Sequence, residues 1–259
     1  MARPTALCSL LLAAVGCAPA AVEKQPKTVL AVFAHPDDEV FVGPLLAHYA
    51  RQGVKVHLAI VTDGEKGTSP HAGIPAGAAL AKVRAEEARC SCHELGVEPP
   101  RLLGFKDGEL GRLNDPPWGY LAEVAREVRK LMAQLRPDTV VTWGPDGGYG
   151  HPDHRLVGDV VTQVVQAQAE GAPVRLLYPG LPADRLRRRP EPGDPPWAGT
   201  DPRFLTVRIP YDDADLAATR KALACHKSQF PAEQMESLVS WMHRTLGGHV
   251  YLRPWFGES

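Results

Sequence analysis

The chain has 259 residues, of which 44% are hydrophobic and 23% charged, and its formal net charge at pH 7 is -1. These proportions are typical of a soluble globular protein, and they exclude a coiled coil, a collagen-like chain and a disordered chain. The near-zero charge also argues against the basic surface that duplex nucleic acid usually requires, so we expect no nucleic-acid partner.

The first 17 residues have the layout of a secretory signal. Arg3 supplies a positive start, residues 6–16 form a weakly polar to apolar run too short to span a bilayer, and small residues follow. The run ends in Ala14-Val15-Gly16-Cys17, which resembles the lipobox of bacterial lipoproteins, in which the cysteine is lipidated. A plain signal-peptidase site after Ala20 is the competing interpretation, and a buried N-terminal helix is a third.

We therefore expect a signal peptide over residues 1–17, of the lipoprotein type in one alternative, and a linker over residues 18–27. The predicted location is the bacterial periplasm or cell envelope. Lipidation of Cys17 would add a membrane tether.

Apolar runs of strand length alternate with amphipathic stretches of helix length in the rest of the chain. The predicted strands are Thr28–Ala34, Val54–Thr62, Arg101–Phe105, Asp138–Trp143 and Val174–Tyr178. The predicted helices between them are Glu39–Gln52, Ala76–Leu95, Tyr120–Leu135 and His151–Glu170. This alternation, with strands apolar on both faces, predicts one α/β domain over residues 28–259. Its sheet is doubly wound, Rossmann-like and mostly parallel, with helices on both faces.

The C-terminal part is less regular. Residues 179–202 are rich in Pro, Arg and Gly without periodicity and predict a long surface loop. An added edge strand is expected at Phe204–Ile209, and helices are expected at Asp212–His226 and Ala232–Leu246. No Walker A loop, GxGxxG, GxSxG or HExxH occurs, so the usual signatures of nucleotide enzymes, serine hydrolases and zincins are absent.

Three cysteines, Cys90, Cys92 and Cys225, lie outside the leader. They form neither a zinc ribbon nor a disulfide framework. On a helix, Cys90 and Cys92 point about 200° apart and cannot bridge each other. Buried free thiols and a single bond to Cys225 both remain open.

Two segments concentrate side chains that can carry chemistry. Residues 34–39, AHPDDE, follow the first predicted strand, and residues 147–154, GGYGHPDH, follow the strand that ends at Trp143. In a doubly wound sheet the ligand site lies beyond the carboxyl ends of the strands, where the strand order reverses. We therefore expect both segments to meet at one place.

The two segments together offer a set of metal ligands. His35, Asp38 and His154 supply two imidazoles and a carboxylate, which zinc accepts while keeping a fourth position for water. Asp37, beside Asp38, can point to that water without binding the metal. Either segment alone could be a helix cap or a solvated first turn, but two His-Pro-Asp tripeptides at equivalent strand ends favour a metal site.

At these residues the sequence resembles the zinc-dependent N-acetylglucosaminyl deacetylases, the PIG-L or LmbE-like family, over about Val29 to Gln229. The resemblance implies that His35, Asp38 and His154 bind one Zn²⁺ or another divalent ion per chain. It implies that Asp37 is the general base. It further implies that His151 is the catalytic histidine that stabilises or protonates the reacting group, and that Tyr149 helps to polarise the carbonyl.

Weaker matches extend the resemblance. Arg84 fits the family's RxxE pattern with Glu87 and is expected either to contact the sugar or to form an exposed ion pair with Glu87. Asp107 resembles a substrate-binding aspartate. Residues 226–229, HKSQ, resemble a C-terminal HxSQ motif to which we assign no role. Asp153 is interpreted either as an acceptor that fixes an imidazole tautomer or as a helix N-terminal charge.

The resemblance implies a zinc-dependent hydrolase that removes an acetyl group from an N-acetylated sugar or glycoconjugate of the GlcNAc type. One alternative is a metal-dependent amidohydrolase that acts on a non-sugar acylated metabolite. Another is an exported sugar-binding lipoprotein without turnover, although such a protein would tend to lose Asp37 or His151 first, and both are present.

Overall fold

The structure is a computed structural model that describes residues 25–112, 119–168, 174–186, 197 and 199–255. The predicted signal peptide, the lipobox with Cys17 and most of the linker lie outside the described residues. Within the described part of the chain, no helix combines the length and hydropathy needed to cross a membrane.

Seven strands of the described residues form one mixed sheet. In chain order they are β1 (Thr28–Phe33), β2 (Lys55–Thr62), β3 (Arg101–Phe105), β4 (Thr139–Thr142), β5 (Arg175–Pro179), β6 (Val207–Pro210) and β7 (His249–Pro254). Their order in the sheet is β3-β2-β1-β4-β5-β7-β6. The first five run parallel, and β7 lies antiparallel to both of its neighbours. The predicted α/β fold is confirmed.

Helices cover both faces of the sheet. They are α1 (Gly43–Arg51), α2 (Ala78–Leu95), α3 (Gly119–Leu135), the single turn α4 (Gly147–Gly150), α5 (Pro152–Gln166), α6 (Asp213–Cys225) and α7 (Ala232–Leu246). A 3-10 helix, Asp38–Val42, precedes α1.

The central strand β1 is buried on both faces. Its side chains alternate, so that Val29, Ala31 and Phe33 pack in one core with residues of α1, α2, α6 and α7. Leu30 and Val32 pack in the opposite core with residues of α3 and α5. This double burial explains why the strand is a continuous apolar run.

The strand order reverses beside β1. The chain passes from β1 to β2 and β3 on one side, and then crosses to β4, which pairs with β1 on the other side. A crevice therefore opens at the carboxyl ends of β1 and β4. Both motif segments follow these two strand ends, as the sequence predicts.

Three elements differ from their predicted form. The helix expected from Glu39 begins as a 3-10 helix and becomes α-helical only at Gly43, because Pro44 has no N–H to continue an earlier α-helix. The edge strand β6 begins three residues later than expected and ends at Pro210. Strand β7 was not predicted, and it separates β5 from β6.

Helix α5 lies unusually close to the end of β4 at Gly158. A Cβ atom added there would lie 2.2 Å from the carbonyl oxygen of Trp143, closer than any real contact. Glycine is required because the helix backbone packs directly on the strand end. This close approach fixes the distance between α5 and the sheet, and with it the position of His154, one turn earlier on the same helix.

A disulfide joins Cys90 on α2 to Cys225 at the end of α6, 135 residues apart, and Cys92 is a buried free thiol. Of the two alternatives that the sequence left open, the structure therefore confirms the single bond to Cys225. A bond that closes so long a loop restricts the unfolded chain strongly.

We expect Cys90→Ser to lower the free energy of unfolding by about 2–4 kcal/mol, the usual worth of a native disulfide, and the Tm by roughly 5–15 °C. Thermal unfolding with and without dithiothreitol measures this. The reductant should lower the Tm of the wild-type protein and leave that of Cys90→Ser unchanged. An equal effect of the reductant on both proteins would assign the bond to other cysteines.

Candidate active site

The turn after β1 is organised around the buried carboxylate of Asp38. Its Oδ2 accepts hydrogen bonds from the backbone N–H groups of Ala34, at 3.0 Å, and His35, at 2.9 Å. The indole Nε1 of Trp143, just beyond β4, donates to the same oxygen at 3.1 Å. One carboxylate oxygen therefore fixes the turn and ties the ends of β1 and β4 together.

The other oxygen of Asp38 faces the two motif histidines. His154 Nε2 lies 3.0 Å from Asp38 Oδ1 and 3.2 Å from His35 Nδ1. The opposite nitrogen of His154, Nδ1, lies 3.1 Å from the carbonyl oxygen of Gly147, to which it donates. The Nε2 lone pair of His154 is then free, and it points at two other acceptors.

The neighbours of His35 likewise direct its lone pair toward the other two ligand residues. Its buried Nε2 lies 3.2 Å from Asp107 Oδ1 and 3.4 Å from Asp153 Oδ2, without the alignment of an ideal hydrogen bond. These carboxylates favour a proton on Nε2, so the lone pair of His35 sits on Nδ1, toward His154 and Asp38.

Three potential ligand atoms thus converge. When both histidines are neutral, their lone pairs face the carboxylate oxygen, which is costly unless a proton or a metal ion binds between the three atoms. Zinc ligands at about 2.0–2.2 Å in a tetrahedron lie about 3.3–3.6 Å apart. Here His154 Nε2 lies 3.0 Å from Asp38 Oδ1 and 3.2 Å from His35 Nδ1, close to that spacing. The residues present therefore fit a divalent metal.

His35 also belongs to two other groups whose potential ligand atoms lie within 4.8 Å of one another. One contains His151 and His154, and the other contains Asp107 and Asp153. We favour the set with Asp38, because its three ligand atoms are the ones that the surrounding hydrogen bonds orient toward a common point.

The charges at the site favour a cation. Burial alone would lower the pKa of His35, but Asp107, Asp153 and Asp38 raise it to about 10. Burial would likewise raise the pKa of Asp38, yet His154 and His35 hold it below its usual range. Asp38 is therefore ionised at neutral pH, as a metal ligand must be.

The neighbouring carboxylate, Asp37, has a different environment. It adopts a positive φ of 100°, a strained conformation for a residue with a Cβ atom. Its side chain is 19% exposed, against 6% for Asp38. Burial raises its pKa, with Asp38 adding to the shift and Arg84 opposing it. The two adjacent carboxylates thus have pKa values shifted in opposite directions, a pattern that separates a base from a ligand.

Arg84 does not form the exposed ion pair with Glu87, so that alternative is wrong. Its guanidinium is buried, donates to Asp37 Oδ2 at 3.0 Å and also donates to the carbonyls of Pro36 and Gly64. Arg84 therefore holds the carboxylate of Asp37 and the loop after β2 in place. A sugar contact from Arg84 stays a prediction.

The other predicted residues surround the ligand cluster. Asp107, expected to bind substrate, and Asp153 both lie beside His35, and Asp153 also accepts the N–H of Gly108 at 2.8 Å. His151 caps α5, with its Nδ1 accepting the N–H of Asp153, and its ring meets His35 edge to face. Tyr149 is 39% exposed and packs edge-on against His154.

A buried ion pair that the sequence does not predict lies beneath the turn. Glu39 and His226 are both 0% exposed, and His226 Nε2 lies 2.7 Å from Glu39 Oε1. Ser91 donates to the same oxygen at 2.6 Å, and the N–H of Asp37 donates to Glu39 Oε2 at 3.0 Å. Burial opposes both charges, but His226 lowers the pKa of Glu39, and Glu39 raises the pKa of His226. The pair therefore supports the strained residue Asp37.

This pair also gives the HKSQ segment a structural role. Ser228 donates to Glu87 from its backbone N–H and its hydroxyl, both at 2.7 Å. Gln229 donates to the carbonyl of Gly67 at 2.8 Å. The resemblance to HxSQ was the only sequence signal for these contacts.

The doubly wound sheet and the two imidazoles and carboxylate at its switch point define an α/β enzyme with a metal-dependent type of site. The family profile described as PIG-L: GlcNAc-PI de-N-acetylase matches residues 30–165, and the chain belongs to this family. The predicted family is confirmed, and so is the predicted enzyme class, a hydrolase of N-acetyl amide bonds.

The names of individual relatives agree with this family assignment. A 1D-myo-inositol 2-acetamido-2-deoxy-alpha-D-glucopyranoside deacetylase from Catenulispora acidiphila is 40% identical in an alignment of 268 positions, which covers 88% of this chain and 88% of that one. The N,N'-diacetylchitobiose deacetylase from Pyrococcus horikoshii has a similar structure, with a TM-score of 0.65 and 22% identity over 88% of this chain and 84% of that one.

A third likeness limits what the fold itself implies. GalB, the 4-carboxy-2-hydroxymuconate hydratase from Pseudomonas putida KT2440, aligns with a TM-score of 0.61 and 19% identity, over 90% of this chain and 98% of that one. At such identities the structural likenesses show the shared fold alone. The reaction must therefore be argued from the site.

We expect His226→Ala to cost about 3–5 kcal/mol of stability, because it leaves the Glu39 carboxylate buried without a cation. Glu39→Gln in the same background should restore most of the loss. Denaturant unfolding measures both, and His243→Ala is the control, because His243 is an exposed histidine that contacts Tyr211. If His226→Ala is as stable as the control, the ion pair does not support the turn.

Proposed function

We propose that the protein is a zinc-dependent hydrolase that removes the acetyl group from an N-acetylated, GlcNAc-type sugar. The observation that carries the proposal is the convergence of His35 Nδ1, His154 Nε2 and Asp38 Oδ1, with the raised-pKa carboxylate of Asp37 beside them. The deacetylase names of the curated relatives support the choice of an acetamido sugar.

His35, Asp38 and His154 would hold the metal. When bound, zinc would acidify a water molecule and polarise the amide carbonyl. Two imidazoles and one carboxylate leave room for both substrate and water, as in other catalytic zinc sites.

Asp37 acts as the general base in this proposal. Its carboxylate is more exposed than that of Asp38, and its raised pKa suits a group that takes a proton near neutral pH. It removes a proton from the attacking water and returns it to the leaving amine, which is too basic to depart unprotonated. Arg84 holds the carboxylate in place through the 3.0 Å hydrogen bond.

His151 and Tyr149 stabilise the developing oxyanion. Because His151 Nδ1 accepts a backbone N–H, its proton sits on Nε2. Burial and the neighbouring His35 and His154 lower the pKa of His151, so it acts as a neutral hydrogen-bond donor that stabilises the reacting group. Burial raises the pKa of Tyr149, so its hydroxyl stays protonated and can donate.

Acetate release tests the proposal directly. The purified protein, with zinc or after treatment with a chelator, is incubated with N-acetylglucosamine glycosides and with N-acetylated amino acids and amines. We expect release from the sugars alone, lost with the chelator and recovered with zinc. Turnover restricted to the non-sugar amides would support the amidohydrolase alternative, and binding without turnover would support a sugar-binding protein.

The two neighbouring carboxylates should respond differently to substitution. Asp37→Ala should keep its zinc and lose turnover by a factor on the order of 10²–10⁴, the usual worth of a general base. Asp38→Ala should lose metal affinity, and added zinc should recover part of its activity. Elemental analysis and acetate release measure both effects, with His154→Ala as the control for lost metal. If Asp37→Ala loses the metal and Asp38→Ala keeps it, the two roles are reversed.

We also propose that the protein is exported. The leader-like residues 1–17 support this, and so does the Cys90–Cys225 disulfide, because such bonds persist mainly in oxidising compartments. The mature chain should begin at Cys17, with a lipid tether, or shortly after it. N-terminal sequencing and mass measurement from fractionated cells test this, and cytoplasmic protein that retains Met1 to Gly16 would refute it.

A further inference from the structure

A cavity of about 410 Å³ adjoins the two catalytic-motif carboxylates. Asp37, Asp38 and Tyr149 form one end of it, where the reacting amide is placed by the proposed function. A volume of this size is in the range of pockets that bind small organic molecules.

The rest of the wall is almost wholly apolar. It consists of side chains from the 3-10 helix, α6, α7 and the loops around them, among them Phe41, Trp143, Trp197, Phe230, Leu238 and Trp241. Among the described residues that line it, the polar ones are the two carboxylates, Tyr149 and Gln229. Of these, Gln229 already donates to Gly67 and Ser228.

Aromatic rings form a connected surface in this wall. Phe41 and Trp197 stack at 4.6 Å between ring centroids, and Trp241 lies 6.3 Å from Trp197. Trp143 joins the same cluster and stacks on the ligand His154 at 4.6 Å. The apolar surface is therefore continuous with the metal-ligand cluster.

We propose that this cavity binds an alkyl or aryl group of the substrate, adjacent to the amide that is hydrolysed. The inference rests on the proposed function and specifies its substrate class. A polyol such as inositol would lose its water contacts in this cavity and find few partners, at a cost for each unpaired hydroxyl. An apolar group gains free energy for each methylene that it buries.

Most of the apolar wall lies outside the part of the chain that the family profile matches. The profile ends at residue 165, whereas the residues from α6, α7 and the loop between them lie beyond it. The metal-ligand cluster lies within the matched region, and the C-terminal elements contribute most of the wall.

The apolar group can have two sources, the N-acyl chain or the aglycone, and substrates distinguish them. Methyl and octyl glycosides of N-acetylglucosamine differ only in the aglycone. N-acetylglucosamine and N-octanoylglucosamine differ only in the acyl chain. We measure kcat/KM for all four with zinc-loaded protein.

We expect one of the two long-chain substrates to exceed its short-chain partner by on the order of 10² in kcat/KM, which corresponds to about three to four buried CH₂ groups at about fourfold each. Trp241→Ala should reduce that ratio at least tenfold. Arg244→Ala, an exposed position on the same helix, should leave the ratio unchanged.

A binding measurement on the wild-type protein keeps the test independent of how the variants fold. Octyl glucoside should change the tryptophan fluorescence and inhibit turnover of the methyl glycoside, and methyl glucoside should do neither. Equal kcat/KM within both substrate pairs, with no effect of octyl glucoside, would overturn the cavity assignment while the proposed function stands. Failure to hydrolyse any of the four substrates would instead refute the proposed function.

Discussion

The carboxylate of Asp38 is the contact on which the rest of the site depends. One of its oxygens accepts two N–H groups of its own turn and the indole N–H of Trp143, and the other faces His154. A single side chain therefore fixes the turn after β1, joins it to the end of β4 and presents a ligand atom. Because Trp143 also stacks on His154, the geometry of the ligand cluster is set by groups that bind no metal themselves.

The buried charged groups beneath this cluster form two pairs of opposite charge, Arg84 with Asp37 and His226 with Glu39. Arg84 bonds the carboxylate of Asp37, while Glu39 accepts the N–H of Asp37 and pairs with His226. Burying such groups is expensive unless each finds a partner, and these pairs are directed at the one residue with strained backbone in the motif. Asp37 is thus held at its carboxylate by Arg84 of α2 and at its backbone N–H by Glu39 of the 3-10 helix. Glu39 is in turn supported by His226, the residue after α6.

The sequence predicts the site well where topology alone brings residues together. Parallel strands place AHPDDE and GGYGHPDH at one crevice, so His35, Asp38 and His154 could be grouped without a structure. Partners that depend on helix packing could not be found this way. Glu39 and His226 lie 187 positions apart, and local spacing suggested Glu87 as the partner of Arg84 when the true contact is Asp37. Strand β7 was missed for a similar reason, since its place is set by pairing with β5 and β6.

The segment between α6 and α7 connects the chemistry to the apolar cavity. His226 supports Asp37 through Glu39, and four residues later Phe230 forms part of the cavity wall. The disulfide at Cys225 ties the start of this segment to α2, which also carries Arg84. A substitution that shifts the segment must therefore disturb Asp37 and the cavity together. On α7, by contrast, Leu238 and Trp241 line the cavity but form none of the hydrogen bonds described above that hold Asp37, so substitutions there should change the cavity and leave the turn after β1 intact.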